Sequence, residues 1–267
     1  MCRNTEKTFQ INKNRRIGKV LIIVEGKKDE VKCFKEIFHR IFKYRTLRVT
    51  QNNIVEYKGT SSTNNSTVII ANAKSTQIKT ILEPDSSLTI VRALQKELGG
   101  RTLNNCRVYY IWDRDNKSNT PNDIKNAVKK FHDPWGNDEV YENGLLLLSY
   151  LCYEAYLISN FEGDIDFIGA HPKEYIKGNK KRKYKPTYFT EKTVATAAKV
   201  MKDKLSDMGI KLELDDMENV NRKIFNNEES VHKINNEDRL LSEISMMLLD
   251  LGLIGEVESS APSTLSQ

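Results

Sequence analysis

Two short apolar runs dominate the hydrophobic pattern of the chain, VLIIV at positions 20–24 and VYYIW at positions 108–112. Each is too short for a globular helix, and its β-branched and aromatic content predicts a strand buried on both faces. Between them, apolar residues recur at helical spacing, first in the segment 31–41. This alternation predicts an α/β fold with a parallel sheet flanked by helices.

The same pattern predicts how the chain is organised. Residues 144–149 are predicted to form a further strand, and residues 152–161 the helix that follows it. Polar and glycine- or proline-containing stretches suggest the boundaries between regions. We expect a flexible basic N-terminus at 1–16, an α/β domain at 17–170 with an insertion at about 58–86, a basic loop and helical C-terminal region at 171–255, and a disordered tail at 256–267.

The composition excludes several classes of protein. With 267 residues, of which 39% are hydrophobic and 29% charged, the chain can bury a substantial core. No apolar run approaches the length of a membrane span and the N-terminus has no hydrophobic signal core, so we expect a cytoplasmic protein without a membrane partner. The four cysteines and four histidines show neither zinc-ligand spacing nor the pattern of a Cys-His hydrolase.

Acidic residues accompany both predicted strands. Glu25, Asp29 and Glu30 follow the first strand, and Asp113 and Asp115 follow the second. Ligands of open α/β sheets bind at the carboxyl ends of the strands, where gathered carboxylates repel one another unless a hard cation such as Mg²⁺ or Mn²⁺ binds. Either motif alone is commonly structural, because acidic residues also favour turns and first helical turns. Their joint occurrence favours a metal site, with Glu30 as a secondary ligand or general base.

A further carboxylate, Glu154, lies in the predicted helix 152–161. Burying a lone carboxylate in an otherwise apolar helix is costly. Glu154 is therefore expected either to act at or near the metal, as a secondary ligand or general base, or to form a salt bridge with a lysine or arginine. Both alternatives stay open at the level of sequence.

Basic residues form two groups in a chain of formal net charge +6. Lys27 and Lys28 lie near the start of the first helix, whose positive end attracts phosphate. Such basic stretches are often only solvated surface, but beside a carboxylate site they favour nucleic acid as the partner. The second group lies next to tyrosines that could stack on bases and consists of Lys180, Lys181, Arg182, Lys183 and Lys185.

On these motifs the chain resembles the TOPRIM family, a metal-dependent domain of topoisomerases, primases and nucleases. In that family a glutamate after the first strand and a D-x-D after a later strand coordinate Mg²⁺, and Glu25, Asp113 and Asp115 match those positions. Asp29 matches an acidic residue that often follows the glutamate by four. The resemblance covers roughly residues 17–165.

The segment 145–162 is similar to RloB-like TOPRIM nucleases of bacterial defence loci, although it departs from their pattern at Tyr150 and Leu151. The AriB effectors of the PARIS anti-phage system are also similar. The resemblance implies a Mg²⁺- or Mn²⁺-dependent nuclease that cleaves DNA or RNA, transfer RNA included, as an antiviral defence effector acting by abortive infection. Since the chain has no P-loop, a partner ATPase of the ABC type would be a separate subunit, and a homo-oligomer is compatible with the resemblance. The alternative is a non-catalytic module that binds nucleic acid or protein on a TOPRIM-like scaffold.

Overall fold

A computed structural model of the protein describes residues 7–26, 28–52, 54–60, 63, 65–73, 75–99, 103, 105–115, 117–135, 144–150, 152–163, 172–178, 183–235 and 239–258. Its strands are β1 (Lys7–Ile11), β2 (Lys19–Val24), β3 (Arg45–Val49), β4 (Val55–Lys58), β5 (Thr67–Asn72), β6 (Cys106–Arg114), β7 (His132–Asp133), β8 (Gly144–Tyr150) and β9 (Ile254–Glu258). Its α-helices are α1 (Asp29–Lys35), α2 (Lys79–Leu82), α3 (Pro84–Glu97), α4 (Pro121–Lys130), α5 (Glu154–Glu162), α6 (Pro172–Gly178), α7 (Glu191–Asp207), α8 (Met217–Asn235) and α9 (Ile244–Asp250). A π-helical turn (Glu36–Ile41) continues α1, and a 3₁₀ turn (Pro186–Tyr188) precedes α7.

The larger sheet has seven strands in the order β3-β4-β5-β2-β6-β8-β7. The strands β5, β2, β6 and β8 run parallel to one another. Toward the edges, β4 pairs antiparallel with β5, β3 antiparallel with β4, and β7 antiparallel with β8. The prediction of an α/β fold with a mainly parallel sheet flanked by helices is therefore confirmed. Both apolar runs lie in the middle of this sheet, where strands covered on both faces need continuous hydrophobic sequence.

Helices cover both faces of the sheet, and the alternation of side chains along β6 distinguishes the two faces. Arg114 pairs with Glu229 of α8, whereas the preceding Asp113 lies on the side of α1 and α5, where Glu30 and Glu154 act on its charge. Successive side chains of a strand point to opposite faces. The acidic side chains and the α8 ion pair are thus separated by the sheet.

The two ends of the described chain pair with each other. β1 and β9 form an antiparallel ladder from Lys7↔Glu258 to Ile11↔Ile254, and Phe9 and Ile11 pack against the core. The sequence analysis expected flexible residues at 1–16 and a disordered tail from 256, so the structure differs from it at both ends. Each strand obtains its backbone hydrogen bonds from the other, a long-range pairing that has no local signature. Residues 1–6 and 259–267 lie outside the described part of the chain.

Two other regions are integrated into the same fold. The range 58–86, expected to be an insertion, contains β5, which pairs directly with β2 near the middle of the sheet. The C-terminal region is mainly helical, and its helices α8 and α9 pack on β7 and β8. Among the described residues, no helix combines the length and hydrophobicity needed to cross a membrane.

Candidate functional site

The carboxyl ends of β2 and β6 bring Glu25 and Asp113 together. These strands are parallel neighbours with Val24 opposite Ile111, and the backbone N–H of Glu25 extends the ladder by donating to the carbonyl oxygen of Ile111 at 3.1 Å. Glu25 Oε2 then accepts a hydrogen bond from the backbone N–H of Asp113 at 2.8 Å. The first residue after one strand is thereby held against the second acidic motif, 88 positions away in sequence.

A third carboxylate reaches this place from the start of α1. Glu30 is only 9% exposed, and its carboxylate lies over Gly26, so closely that a Cβ atom at position 26 would overlap with it. Asp29, which the sequence analysis proposed as the ligand from this helix, is instead exposed. The absence of a side chain on Gly26 makes room for Glu30 to fold back. Glu30, and not Asp29, is therefore the residue of α1 that reaches the place expected for a ligand.

Glu25, Glu30 and Asp113 form an acidic cluster. Their pKa values reflect burial and the mutual repulsion of their charges. Burial raises the pKa of Glu25 to about 7, the hydrogen bond from Asp113 N–H opposes the rise, and the charges of Glu30 and Asp115 add to it. Burial and then the charges of Glu25 and Glu30 place the pKa of Asp113 well above its usual range. Burial, followed by the charge of Glu154, likewise raises the pKa of Glu30. Such a group of carboxyls must share protons or attract a cation.

Asp115 has a different environment from Asp113. It lies just beyond β6, where its carboxylate accepts hydrogen bonds from Lys117 N–H at 2.9 Å and Ser118 Oγ at 2.8 Å. Partial burial favours the neutral form of Asp115, but these hydrogen bonds outweigh it and lower the pKa of Asp115 below its usual value. Its charge contributes to the field at Glu25. Asp115 therefore orders the following loop, and its charge acts on Glu25.

Of the two roles that the sequence analysis left open for Glu154, the structure shows the contact with a lysine. Glu154 is the first residue of α5, and its Oε2 lies 4.0 Å from Nζ of Lys173 in α6. Its negative charge also raises the pKa values of Glu30 and Asp113. The positive charge of Lys173 acts in the opposite direction on Glu25, Glu30 and Asp113.

Lys173 was not recognised as a site residue from the sequence, where it only begins a long basic stretch. Nothing in its local sequence distinguishes it from the lysines that follow. Its position depends on the packing of α6 against α5, which brings it to the acidic cluster. Only a tertiary contact could have identified it.

The predicted nucleic-acid contacts are distributed around this region. Lys28 is exposed just before α1, and Lys185 is exposed just before the 3₁₀ turn. Lys183 forms an ion pair with Glu162 at 2.7 Å. The remaining predicted contacts lie outside the described residues, namely Lys27, Lys180, Lys181 and Arg182.

The carboxylates at this site have the chemistry to bind a hard cation. Their side chains are not arranged around a single point as metal ligands would be. Carboxylate oxygens are the donors that Mg²⁺ and Mn²⁺ prefer. Across the described ranges, no group of three or more His, Cys, Asp or Glu side chains is arranged around one point as metal ligands. Glu25 Oε2 already accepts the hydrogen bond from Asp113 N–H, which leaves Oε1 of Glu25 for an ion. The neighbouring carboxylates would have to rotate toward that ion to complete its coordination.

The chain matches no protein-family model, and neither a curated protein nor a solved structure is significantly similar to it.

Proposed function

We propose that this protein is a metal-dependent nuclease with a TOPRIM-like site, in which Glu25, Asp113 and Asp115, together with Glu30, hold Mg²⁺ or Mn²⁺. One observation carries the proposal. The side chain of Glu25 is hydrogen-bonded at 2.8 Å to the backbone of Asp113, at the shared edge of two parallel strands. This is the edge of an open α/β sheet at which ligands bind.

The burial of these carboxylates favours a cation as their partner. Taking a charged carboxylate out of water is costly unless an opposite charge compensates it. Glu25 and Glu30 are each only 9% exposed, and Lys173 and Glu154 form an ion pair beside them. A divalent cation would relieve the repulsion that remains among the carboxylates beside this ion pair.

The protein residues would have distinct tasks. A bound Mg²⁺ or Mn²⁺ supplies a water of lowered pKa and neutralises charge on the phosphate. The hydrogen bond from the backbone N–H of Asp113 to the Glu25 carboxylate fixes the position of Glu25, and Asp115 orders the adjoining loop. Burial raises the pKa of Glu30, so that when it is not bound to the ion its carboxylate can take up a proton as a general base.

The wider biological role belongs to the same proposal. Similarity of the two acidic motifs to TOPRIM nucleases of defence loci suggests an effector of bacterial anti-phage defence that acts on DNA or RNA in the cytoplasm. A separate ABC-type ATPase is the partner that this resemblance suggests.

Two conservative substitutions test the chemistry. Glu25→Gln and Asp113→Asn should each lower cleavage of plasmid DNA or total RNA by on the order of a hundredfold or more, because each removes a negative charge from the ligand set. The matched controls are Glu218→Gln and Asp207→Asn, which change exposed residues of other helices. Melting curves of all four variants establish that they are folded.

Cleavage should require Mg²⁺ or Mn²⁺ and stop in a chelator. Wild-type rates in both site variants, or undiminished cleavage in the chelator, would contradict the proposal. Binding of Mn²⁺ by calorimetry without cleavage of any nucleic acid would instead favour the non-catalytic binding module.

A further inference from the structure

A cavity of about 520 Å³ adjoins the acidic cluster and has not been assigned a role. It lies among α1, α5, α6 and the 3₁₀ turn, and it shares Asp29 and Glu154 with the surroundings of the cluster. Its volume falls within the range of roughly 300–1,000 Å³ that is typical of small-ligand pockets. A ligand in this cavity would therefore lie directly beside the carboxylates.

The lining of the cavity has two chemically different parts. Buried aromatic and apolar residues contribute one part, and they are Tyr153, Leu157, Tyr184 and Pro186. Exposed lysines from three separate elements contribute the other, and they are Lys32, Lys173, Lys177 and Lys185. An apolar interior with a basic rim suits a molecule that has a flat apolar body and negative groups at its edge.

The charges at the rim favour phosphate. Of the four lysines, Lys173 is paired with Glu154. In the part of the chain that the structure describes, Lys32, Lys177 and Lys185 form no ion pair. Beside the Lys173–Glu154 pair, three positive charges thus stand against the one carboxylate of Asp29 at the mouth of the cavity. Phosphates of a nucleic-acid backbone release counterions when they bind such lysines.

We infer that this cavity binds one nucleotide of a single-stranded nucleic acid, adjacent to the phosphate held at the acidic cluster. The base would enter the apolar interior, and Lys177 and Lys185 would contact backbone phosphates at the rim. A base in a duplex is stacked and paired, so it would have to be unstacked before it could enter. The inference rests on the proposed function, which it deepens by naming a single-stranded substrate.

The test measures binding without cleavage. Fluorescein-labelled hexathymidylate, hexauridylate and a hairpin duplex are titrated with the full-length protein in a chelator, and anisotropy gives each dissociation constant. The variant Lys177→Gln/Lys185→Gln is compared with Lys223→Gln/Lys233→Gln, which also removes two exposed lysines but from α8 on the opposite side of the sheet. The two single-stranded probes separate DNA from RNA as the source of the nucleotide.

We expect the single strands to bind more tightly than the hairpin and the cavity variant to bind them at least fivefold more weakly than the α8 variant. The slope of log Kd against log salt should fall by about 1.4 in the cavity variant, since each phosphate contact on a single strand contributes about 0.7. Equal weakening by both variants, equal binding of hairpin and single strands, or no binding by the wild type would overturn the inference.

Failure of this inference can be distinguished from failure of the proposed nuclease activity. If metal-dependent cleavage is abolished by Glu25→Gln while the cavity variant binds like the wild type, the cavity assignment fails and the nuclease proposal stands. If the cavity variant loses binding but no nucleic acid is ever cleaved, the nuclease proposal fails and the single-strand site stands.

Discussion

Glu243 should make the stability of this protein depend on pH. It is 1% exposed, and its Oε2 accepts a hydrogen bond from the backbone N–H of Leu148 in β8 at 2.8 Å. Burial raises the pKa of Glu243 from 4.5 to about 8, and the nearby charge of Glu228 adds to the rise although the Leu148 N–H opposes it. The folded protein therefore holds a proton on Glu243 at pH values where the unfolded chain has lost it.

The sign of the effect follows from this difference in proton binding. The stabilisation associated with protonated Glu243 is fully present below about pH 4.5 and is lost progressively until the pH passes the folded pKa of about 8. One extra proton in the folded state corresponds to a slope of at most about 1.4 kcal/mol per pH unit. Across this window the wild type should lose on the order of 3–5 kcal/mol relative to a variant without the ionisable group.

Urea unfolding of Glu243→Gln and the wild type, followed by tryptophan fluorescence from pH 5 to pH 9, measures this difference. The amide is close in shape to a protonated carboxyl and stays neutral, so the variant should gain stability relative to the wild type as the pH rises. The exposed Glu213→Gln serves as the control and should show no such trend. A constant difference between Glu243→Gln and wild type at all pH values would refute the reasoning.

Three further changes test other contacts. Gly26→Ala should displace the Glu30 carboxylate and lower the cleavage rate by on the order of a hundredfold, while melting curves show a folded protein. The control Gly255→Ala, whose added methyl group meets no neighbour, should leave the cleavage rate unchanged. Arg114→Met should lower the free energy of unfolding by roughly 3–5 kcal/mol, because it leaves the carboxylate of Glu229 without its 2.6 Å partner, and a smaller loss for the double replacement Arg114→Met/Glu229→Leu would support this cause. Lys173→Gln should melt at a lower temperature than the wild type in a chelator and gain more from added Mn²⁺; an unchanged response to Mn²⁺ would argue against the lysine as the counter-charge of the cluster.

The geometry of the two acidic motifs was the part of the site most accessible from sequence. Apolar runs at 20–24 and 108–112 predicted buried parallel strands, and the carboxyl ends of such strands must share an edge of the sheet. The proximity of Glu25 and Asp113 follows from that rule once the strands are neighbours. Their adjacency in the sheet is a matter of topology, which the local pattern does not contain.

The choice between Asp29 and Glu30 shows where local spacing fails. A separation of four residues suggested that Glu25 and Asp29 face the same point, but β2 ends at residue 24 and the helix begins only at residue 29. Helical periodicity does not apply across that junction. Because Gly26 has no side chain, the carboxylate of Glu30 can lie over it and reach toward Glu25.

The sequence by itself determined the fold class, the central strands and the candidate acidic residues, because hydrophobic period and strand-end chemistry are local properties of the chain. Tertiary structure decided the contact of Lys173 with Glu154, the pairing of β1 with β9 and the place of β5 inside the sheet. Each of these depends on a contact between segments far apart in sequence. Such contacts are selected by the packing and charge balance of the whole fold, to which no short window of residues has access.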